Sequence, residues 1–541
     1  MGRSDDECRV LENVGKEIVS KCKGLPLAAK TMGSLLRFKR TRKEWENILN
    51  SGMWELEEFE KGIFPPLLLS YNDLPLMVKR CFSYCVIFPK DYQLHKDELI
   101  KLWMAQGYLG LEQKREMEMI GENYFNILAT RSFFQEFIKD NIGDIVGCKM
   151  HDIVHDFGQF LTKNECFAMK DNDFGDSSIN FSFEKAHHLI LMVDNNSSFP
   201  ISICNIKNLR SLLFQFEEGM NSFDGVLLEL LGQNTCLRAL AMGGTAKFDM
   251  MTSWRYLYPI KLERIPKEIR KLIHLRYLDL SKNDALEMLP EELCELCNLQ
   301  TLNVLGCVNL KELPQGMGKL INLRHLVNES TPSLRYMPKG IEKLTCLQTL
   351  SEFRVSGSDY RTKACSLEFL NQFGRLEGSL GIKGLGNVTN RSEAQRIQLR
   401  NKENILKLEL GFGGSNSVNT EAIIEALQPP PNLQRLIISK YVGNTVLPNW
   451  ITSLTNFRSI SLFEWINCEQ LPPLGKVSSL ESIVIQRMNR VKRVGIEILG
   501  LESDGITLSS SSLSVSAFPK LKSLYFYRMG KSGILGLKMI I

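Results

Sequence analysis

An α+β fold built from more than one domain is what this sequence predicts, and three observations predict it. Apolar residues recur at helical spacing through residues 1–168 and close on a short alternating hairpin. Prolines and leucines return at one fixed step within residues 169–541, the mark of a solenoid of stacked coils, or horseshoe. The chain has 541 residues, more than one hydrophobic core holds. The expected units are a helical segment over 1–62, a helix-and-hairpin segment over 63–168 and a repeat array over 169–541.

In the first segment, "LENVGKEIVSKCKGLPLAAKTMGSLLRF" reads as helix, corner, helix. Leu11, Val14, Ile18 and Val19 form the first apolar stripe; Ala28, Ala29, Met32, Leu35 and Leu36 form the second. Gly24 stands where a left-handed residue closes a helix, and Pro26 suits the first turn of the next.

In the second segment, Leu76, Val78, Cys81, Phe82 and Cys85 mark the buried face of one helix. "KDELIKLWMAQGYL" is another, with Asp97 near its start and Gly107 near its end. Met117, Ile120, Tyr124, Ile127 and Leu128 keep helical spacing in a third. "FQEFIKDNIGDIVGCKM" then alternates around a "DNIGD" turn, a hairpin signal. Helices leading into a hairpin predict a winged helix. No basic recognition helix accompanies it, so nucleic acid is not an expected partner.

"KMHDIVHDFGQFL" follows, with Met150, Ile153, Val154, Phe157, Phe160 and Leu161 on one helical face. Asp152 falls at the helix start, where the dipole favours a carboxylate. His151 and His155 match the zinc-helix pattern H-E-x-x-H, except that the shorter Asp152 replaces the glutamate and no third ligand stands at a family spacing. A structural histidine, a metal-dependent hydrolase and a ligand sensor are the readings these residues leave open.

The array is read from "IPKEIRKLIHLRYLDLS", "LPEELCELCNLQTLNVLGC", "LPQGMGKLINLRHLVNE" and "MPKGIEKLTCLQTLSEF". Their prolines, Pro266, Pro290, Pro314 and Pro338, step by 24 residues (290 − 266, and so on), as do Leu275, Leu299, Leu323 and Leu347. This is the leucine-rich-repeat pattern L-x-x-L-x-L. Each proline opens a short helical turn, and the leucines point inward. One coil cannot bury its own leucines, so neighbours must stack. Weaker copies flank the four, the register blurs over 354–431, and "ESDGITLSSSSLSVSAF" reads as an inserted loop. The final "GKSGILGLKMII" carries no polar capping repeat, so truncation of the array is expected. Side-chain alternation puts Arg276, Tyr277, Gln300, Thr301, Arg324, His325, Arg435 and Arg458 on an exposed sheet face, a mixture suited to a protein ligand.

Composition narrows the classes. A net charge of +5 over this length gives no concentrated basic character. The 14 cysteines are scattered, and Cys204, Cys236, Cys307 and Cys346 read as small buried hydrophobes. "CELC" lacks a second pair at zinc spacing. Unclustered cysteines suit a reducing compartment. The polar "MGRSDDECRV" is no signal peptide, and no apolar run has the roughly 18 residues of a spanning helix.

"GLPLA" (Gly24 to Ala28), "CFSYCVIFPKDY" (Cys81 to Tyr92), "LIKLWMAQGYL" (Leu99 to Leu109) and "MHDIVHDFGQFL" (Met150 to Leu161) occur in that order ahead of the repeats. With these motifs the chain resembles plant disease resistance receptors of the NB-ARC leucine-rich-repeat family, coiled-coil class, over nearly its whole length. The resemblance implies that 1–62 is the last helical subdomain of an NB-ARC module, 63–168 its winged helix and 169–541 its recognition array. It implies ADP or ATP as cofactor, with Pro26 against the adenine ring and His151 near the phosphates. Met150 would pack, Asp152 would hold the locked state, and Gly24 and Leu25 would shape the switch corner. It implies a cytoplasmic, intracellular receptor, a slow ATPase switch and not a metabolic enzyme. The partners implied are a pathogen effector or a guarded host protein, and the NB-ARC core itself.

Two departures bear on this. The phosphate loop G-x-x-x-x-G-K-[ST] does not occur: "GMGKL" has Leu320 after its lysine, and "GKS" has Tyr525 where the first glycine belongs. The acidic metal-binding strand and the coiled coil are not found either. On the resemblance, the sequence begins inside the nucleotide-binding region and carries an incomplete nucleotide site. The second function the sequence allows is a stand-alone repeat adaptor or decoy that binds protein and no nucleotide.

Overall fold

A computed structural model describes residues 5–55, 64–110, 117–140, 143–163, 165–170, 185–193, 203, 206–216, 224–243, 262–414, 419–443, 448–465, 467–491, 494, 496–499, 518–529 and 534–540. The expected Ser-rich loop, the centre of the "DNIGD" turn and Cys204 lie outside these residues. The chain forms two compact units. One holds 1–217, 233–241 and 275–277; the other holds 218–232, 242–274 and 278–541.

The first unit opens with α1 (Asp5–Lys21), α2 (Pro26–Leu36) and α3 (Arg42–Leu49). They close on a small core that includes Leu11, Ile18, Met32, Leu35 and Trp45. Gly24 adopts φ +72° and Pro26 opens α2, so the corner read from "GLPLA" is built as its residue types require. A capping box between Thr41 and Glu44 starts α3.

Next come α4 (Phe64–Asn72), α5 (Leu76–Cys85), β1 (Leu94–His95), α6 (Lys96–Gln106), α7 (Met117–Thr130), β2 (Gln135–Lys139), β3 (Ile145–Lys149) and α8 (Asp152–Thr162). β2 and β3 pair antiparallel, and β1 pairs with β3. This is the expected winged helix. Val78, Phe82, Trp103, Phe125, Phe133 and Phe157 fill its centre with no exposed surface. Gly158 lets α8 lie tight against the end of α5, since a Cβ there would stand 2.2 Å from Val86 Cγ1. α4 packs against both α2 and α8. Ser34 and Ser132 share a hydrogen bond of 2.8 Å, and Asp73 accepts from both Lys39 and Arg131. The "GLPLA" helix is thereby tied to the winged helix.

β4 (Cys166–Lys170), β5 (His188–Val193), β6 (Ser211–Phe216) and, after α9 (Asp224–Gln233), β7 (Ala239–Ala241) pair in parallel in that order. Ile190, Leu213, Ala239 and Tyr277 belong to the same buried cluster as Phe82 and Trp103. The winged helix and these strands share one core.

The second unit is the regular array. From Leu278 onward it holds the rest of β8 (Tyr277–Asp279), then β9 (Thr301–Asn303), β10 (His325–Val327) and β11 (Thr349–Leu350), with Leu302, Leu326 and Leu350 in register. Pro266, Pro290 and Pro314 each N-cap a short 3-10 turn, as the pattern predicts. Glu291 ties one turn to the next, accepting from the amides of Gln315 at 2.7 Å and Gly316 at 3.0 Å. The chain changes sheets at Ser351. β12 (Glu352–Arg354), β13 (Gly378–Lys383), β14 (Ile405–Gly411), β15 (Arg435–Ser439), β16 (Ser459–Phe463), β17 (Ser482–Gln486) and β18 (Ser523–Met529) then pair in parallel, and β19 (Ile534–Ile540) pairs antiparallel with β18. Within 354–431, where the register blurs, stand α10 (Arg391–Gln395) and α11 (Thr420–Ala426).

Some sequence expectations fail. Val19 and Leu76 are exposed, at 64% and 63%. Val19 sits one residue, or about 100° of helix, from the Ile18 stripe, and Leu76 lies in the first turn of its helix. Ala29, Phe160 and Cys236 are also exposed. Four of the expected ligand-face residues, Tyr277, Thr301, Arg324 and His325, are at most 3% exposed. Adjacent strands lie about 4.8 Å apart, so side chains at the same position of successive coils stack on one another. His325 Nδ1 lies 3.0 Å from Thr349 Oγ1 on this ladder, and Tyr277 joins the winged-helix core. Arg276, Gln300 and Arg435 are half-buried, and Arg458 is exposed.

Candidate functional site

The residues singled out by sequence gather at the first turn of α8. Met150 is buried in the winged-helix core, which fixes the backbone entering the helix. His151 is the N-cap, with φ −66° and ψ 140°, and its Nδ1 accepts from the Ile153 amide at 3.2 Å. N-caps are usually Ser, Thr, Asp or Asn; an imidazole nitrogen performs the same task here. The bond has a chemical consequence. An Nδ1 that accepts carries no proton, so the neutral ring holds its proton on Nε2. The capped ring thus presents one N–H donor beside the positive end of an eleven-residue helix. That combination favours an anion such as a phosphate oxygen. Asp152, exposed at the first position of α8, adds a carboxylate to the same turn.

The second histidine of the pair has a different task. His155 is 7% exposed, and its Nε2 lies 2.8 Å from the Phe88 carbonyl, which can only accept, so the ring donates. With its Nδ1 lone pair spent on the cap and its proton on Nε2, the His151 ring keeps no lone pair for a metal, whereas Nδ1 of His155 stays unbonded. Among the described residues no group of three or more His, Cys, Asp or Glu is arranged to hold one. Cys81, Cys85, Cys148 and Cys166 are buried near one another, and burial pushes their thiols up, Cys148 to about 12. They are inert packing groups at neutral pH.

Gly24, Leu25 and Pro26 form the α1–α2 corner. Gly24 and Pro26 are exposed, whereas Leu25 is half-buried against the small helical core. No hydrogen bond among the described residues joins this corner to Met150–Asp152; α4 stands between their helices.

Sequence reasoning missed a buried polar centre in the same unit. Ser211 Oγ, with no exposed surface, accepts from Gln106 Nε2 at 2.9 Å and Tyr84 Oη at 3.2 Å, and lies 3.0 Å from His188 Nδ1. Burial pushes the Tyr84 hydroxyl far above its usual range. Burial first, then the neighbouring His187 and the positive charges of Arg210 and Arg238, holds His188 down at about 3. The signal was present, since "HH" precedes a wholly apolar strand and "RS" opens the next. What could not be read was that the two strands meet α5 and α6.

Comparison with known proteins follows the same division. Residues 87–157 match the family described as disease resistance protein winged helix domain, and 367–488 match R13L1/DRL21 leucine-rich repeats. The chain is 40% identical to disease resistance protein RGA1 of Solanum bulbocastanum over 87% of its own length and 43% of the relative's. It is 36% identical to RGA4 over 95% and 46%, and 34% identical to RGA2 over 96% and 48%, both from the same plant. The structure shows a winged helix followed by leucine-rich repeats, and the disease-resistance winged-helix family model matches 87–157 of it. The chain is a homologue of plant disease resistance proteins, and it spans less than half the length of these relatives. Among the described residues no helix is long and apolar enough to cross a membrane.

Proposed function

We propose that this chain supplies the winged-helix and recognition parts of a plant intracellular immune receptor, a nucleotide-dependent switch that triggers a defence response. The observation that carries the reading is the His151 cap, whose Nε2–H stands at the positive end of α8 on a Met150-anchored backbone. In this reading an NB-ARC core holds ADP, and His151 donates to a phosphate oxygen of it. The phosphate loop pattern G-x-x-x-x-G-K-[ST] does not occur in this sequence. Pro26 forms the adenine side, and Gly24 and Leu25 set the corner that carries it. Asp152 favours the closed state through the same helix turn.

The repeats, with Arg276, Gln300, Arg435 and Arg458 accessible, face a pathogen effector or a guarded host protein. A recognition event weakens the closed state, and ATP replaces ADP. Nucleotide identity shifts this equilibrium only through different affinities for the two states. The units suggested are a helical subdomain over 1–62, a winged helix over 63–168 and the array over 169–541.

The test is a graft of this chain behind an intact NB-ARC core, expressed in leaves. Asp152→Val is expected to give cell death without any elicitor. Silence at equal protein level argues against the reading.

A further inference from the structure

Three arginines stand abreast in the first unit. Ser211 pairs with Ala239 across β6 and β7, so the residues just before them, Arg210 and Arg238, are lateral neighbours. The Arg238 carbonyl accepts from the amides of Arg276 at 2.8 Å and Tyr277 at 3.0 Å, which puts Arg276 on its other side. Adjacent strands lie about 4.8 Å apart, so three guanidiniums rise from consecutive rungs of one sheet edge.

Their charges act on one another. Burial, then Arg210, holds Arg238 below the usual arginine range; burial, then Arg238, does the same to Arg276. His187 is held down by burial and then by Arg210, with Glu165 opposing. Arg238 Nη1 donates to the Gln106 carbonyl at 2.9 Å and Arg276 Nη1 to the Ala105 carbonyl at 3.5 Å, both at the end of α6. A guanidinium has five N–H donors, so most remain unspent. Arg210 makes no side-chain hydrogen bond to a described residue, and none of the three pairs with a described carboxylate. All three are half-buried, where screening by salt is weaker.

The corresponding strand starts in the sheet of β15 to β18, within the second unit, are arranged differently. Gln434, Arg458, Glu481 and Lys522 occupy consecutive rungs there, linked amide to carbonyl at 2.8 to 2.9 Å. Glu481 stands between the two cations, 3.9 Å from Arg458 and 2.7 Å from Lys522. Charge cancels along that edge and accumulates along the other.

We propose that Arg210, Arg238 and Arg276 form a binding site for a small polyphosphorylated anion. The guanidinium fork matches phosphate oxygens in pairs. Two rungs span about 10 Å, more than one phosphate covers, so the fitting ligand carries several. Carboxylates on one side of an extended peptide repeat at about 6.8 Å, out of step with the rungs. The site is separate from the α8 turn and does not depend on the switch reading; it shares Arg276 with the face proposed above to meet a protein.

The test is calorimetry of the full chain with tripolyphosphate, alongside thermal unfolding. Saturable binding and a raised melting temperature are expected. Arg210→Gln, which breaks no described side-chain hydrogen bond, is expected to weaken binding about tenfold without lowering the melting temperature of the free protein. Arg210→Lys should recover part of the affinity, and Arg458→Gln, in the other sheet, should leave tripolyphosphate binding unchanged. Absence of binding by the unaltered chain would overturn the proposal, as would an equal loss in Arg458→Gln. So would binding of a polyglutamate peptide but not of tripolyphosphate, since the occupant would then be an acidic protein segment.

Discussion

Replacing His188 by Asn should flatten the acid sensitivity of the first unit. The imidazole is 4% exposed, lies 3.0 Å from Ser211 Oγ and meets the Tyr84 ring edge-on at 5.0 Å between centroids. Burial, with only positive charges contributing beside it, holds its pKa at about 3 against 6.5 for a free histidine. Between these values the unfolded chain binds the proton and the folded one does not. Stability is therefore full above pH 6.5 and falls as the pH drops toward 3. At pH 5 the loss is 1.5 units below the free value, about 2 kcal/mol at 1.36 kcal/mol per unit. Asn keeps an amide near the Nδ1 position and does not titrate. The assay is amide hydrogen exchange of peptides covering 188–193 and 211–216 at pH 5 and pH 7, corrected for intrinsic rates. The unaltered chain should lose about 2 kcal/mol of opening free energy on acidification, and His188→Asn should lose far less. His187, held down in the same direction but more accessible, is common to both proteins and cancels. An equal pH dependence in the two proteins would refute the reasoning.

Other outcomes follow from single contacts. Lys402 is 4% exposed with one carbonyl partner, Phe373, at 3.0 Å, and burial holds its amine down to about 8. The folded chain binds this proton less tightly than the unfolded one, so the penalty is complete below pH 8 and fades toward pH 10.5. Lys402→Met should stabilise the array by about 2 kcal/mol at pH 7, with the gain in unfolding free energy shrinking at pH 10; a loss at pH 7 would contradict this. Gly158→Ala places a methyl 2.2 Å from Val86 Cγ1 and should cost about 2 kcal/mol, read as faster exchange in α5 and α8. Unchanged exchange would mean that α8 does not lie as described. Metal analysis of the purified chain should find no stoichiometric zinc, because the capping bond takes the His151 Nδ1 lone pair and leaves the proton on Nε2; one zinc per chain would undo that assignment.

Repeats and helix corners were legible because each rests on local chemistry. The prolines opening the 3-10 turns, Gly24 and Gly107 in left-handed caps, and the wing around β2 and β3 all follow from residue type and spacing. The α8 turn was legible as a helix start, and the resemblance pointed to His151, but its capping bond depends on backbone angles that no spacing encodes. Exposure on the sheet face was misread at Tyr277, Thr301, Arg324 and His325. Alternation along a strand says which side a residue faces, not what covers that side. The Ser211 centre joins residues as far apart as Tyr84 and Ser211, and the arginine row joins Arg210 to Arg276; both needed the packing to be visible.

Bound nucleotide decides the account most directly. With the chain fused to an intact NB-ARC core and purified without added nucleotide, the unaltered protein should retain stoichiometric ADP. His151→Asn keeps an N-cap acceptor for α8 and removes the Nε2–H donor; it should lose the ADP while folding normally. Equal retention by the two proteins would show that the capped histidine does not touch the nucleotide.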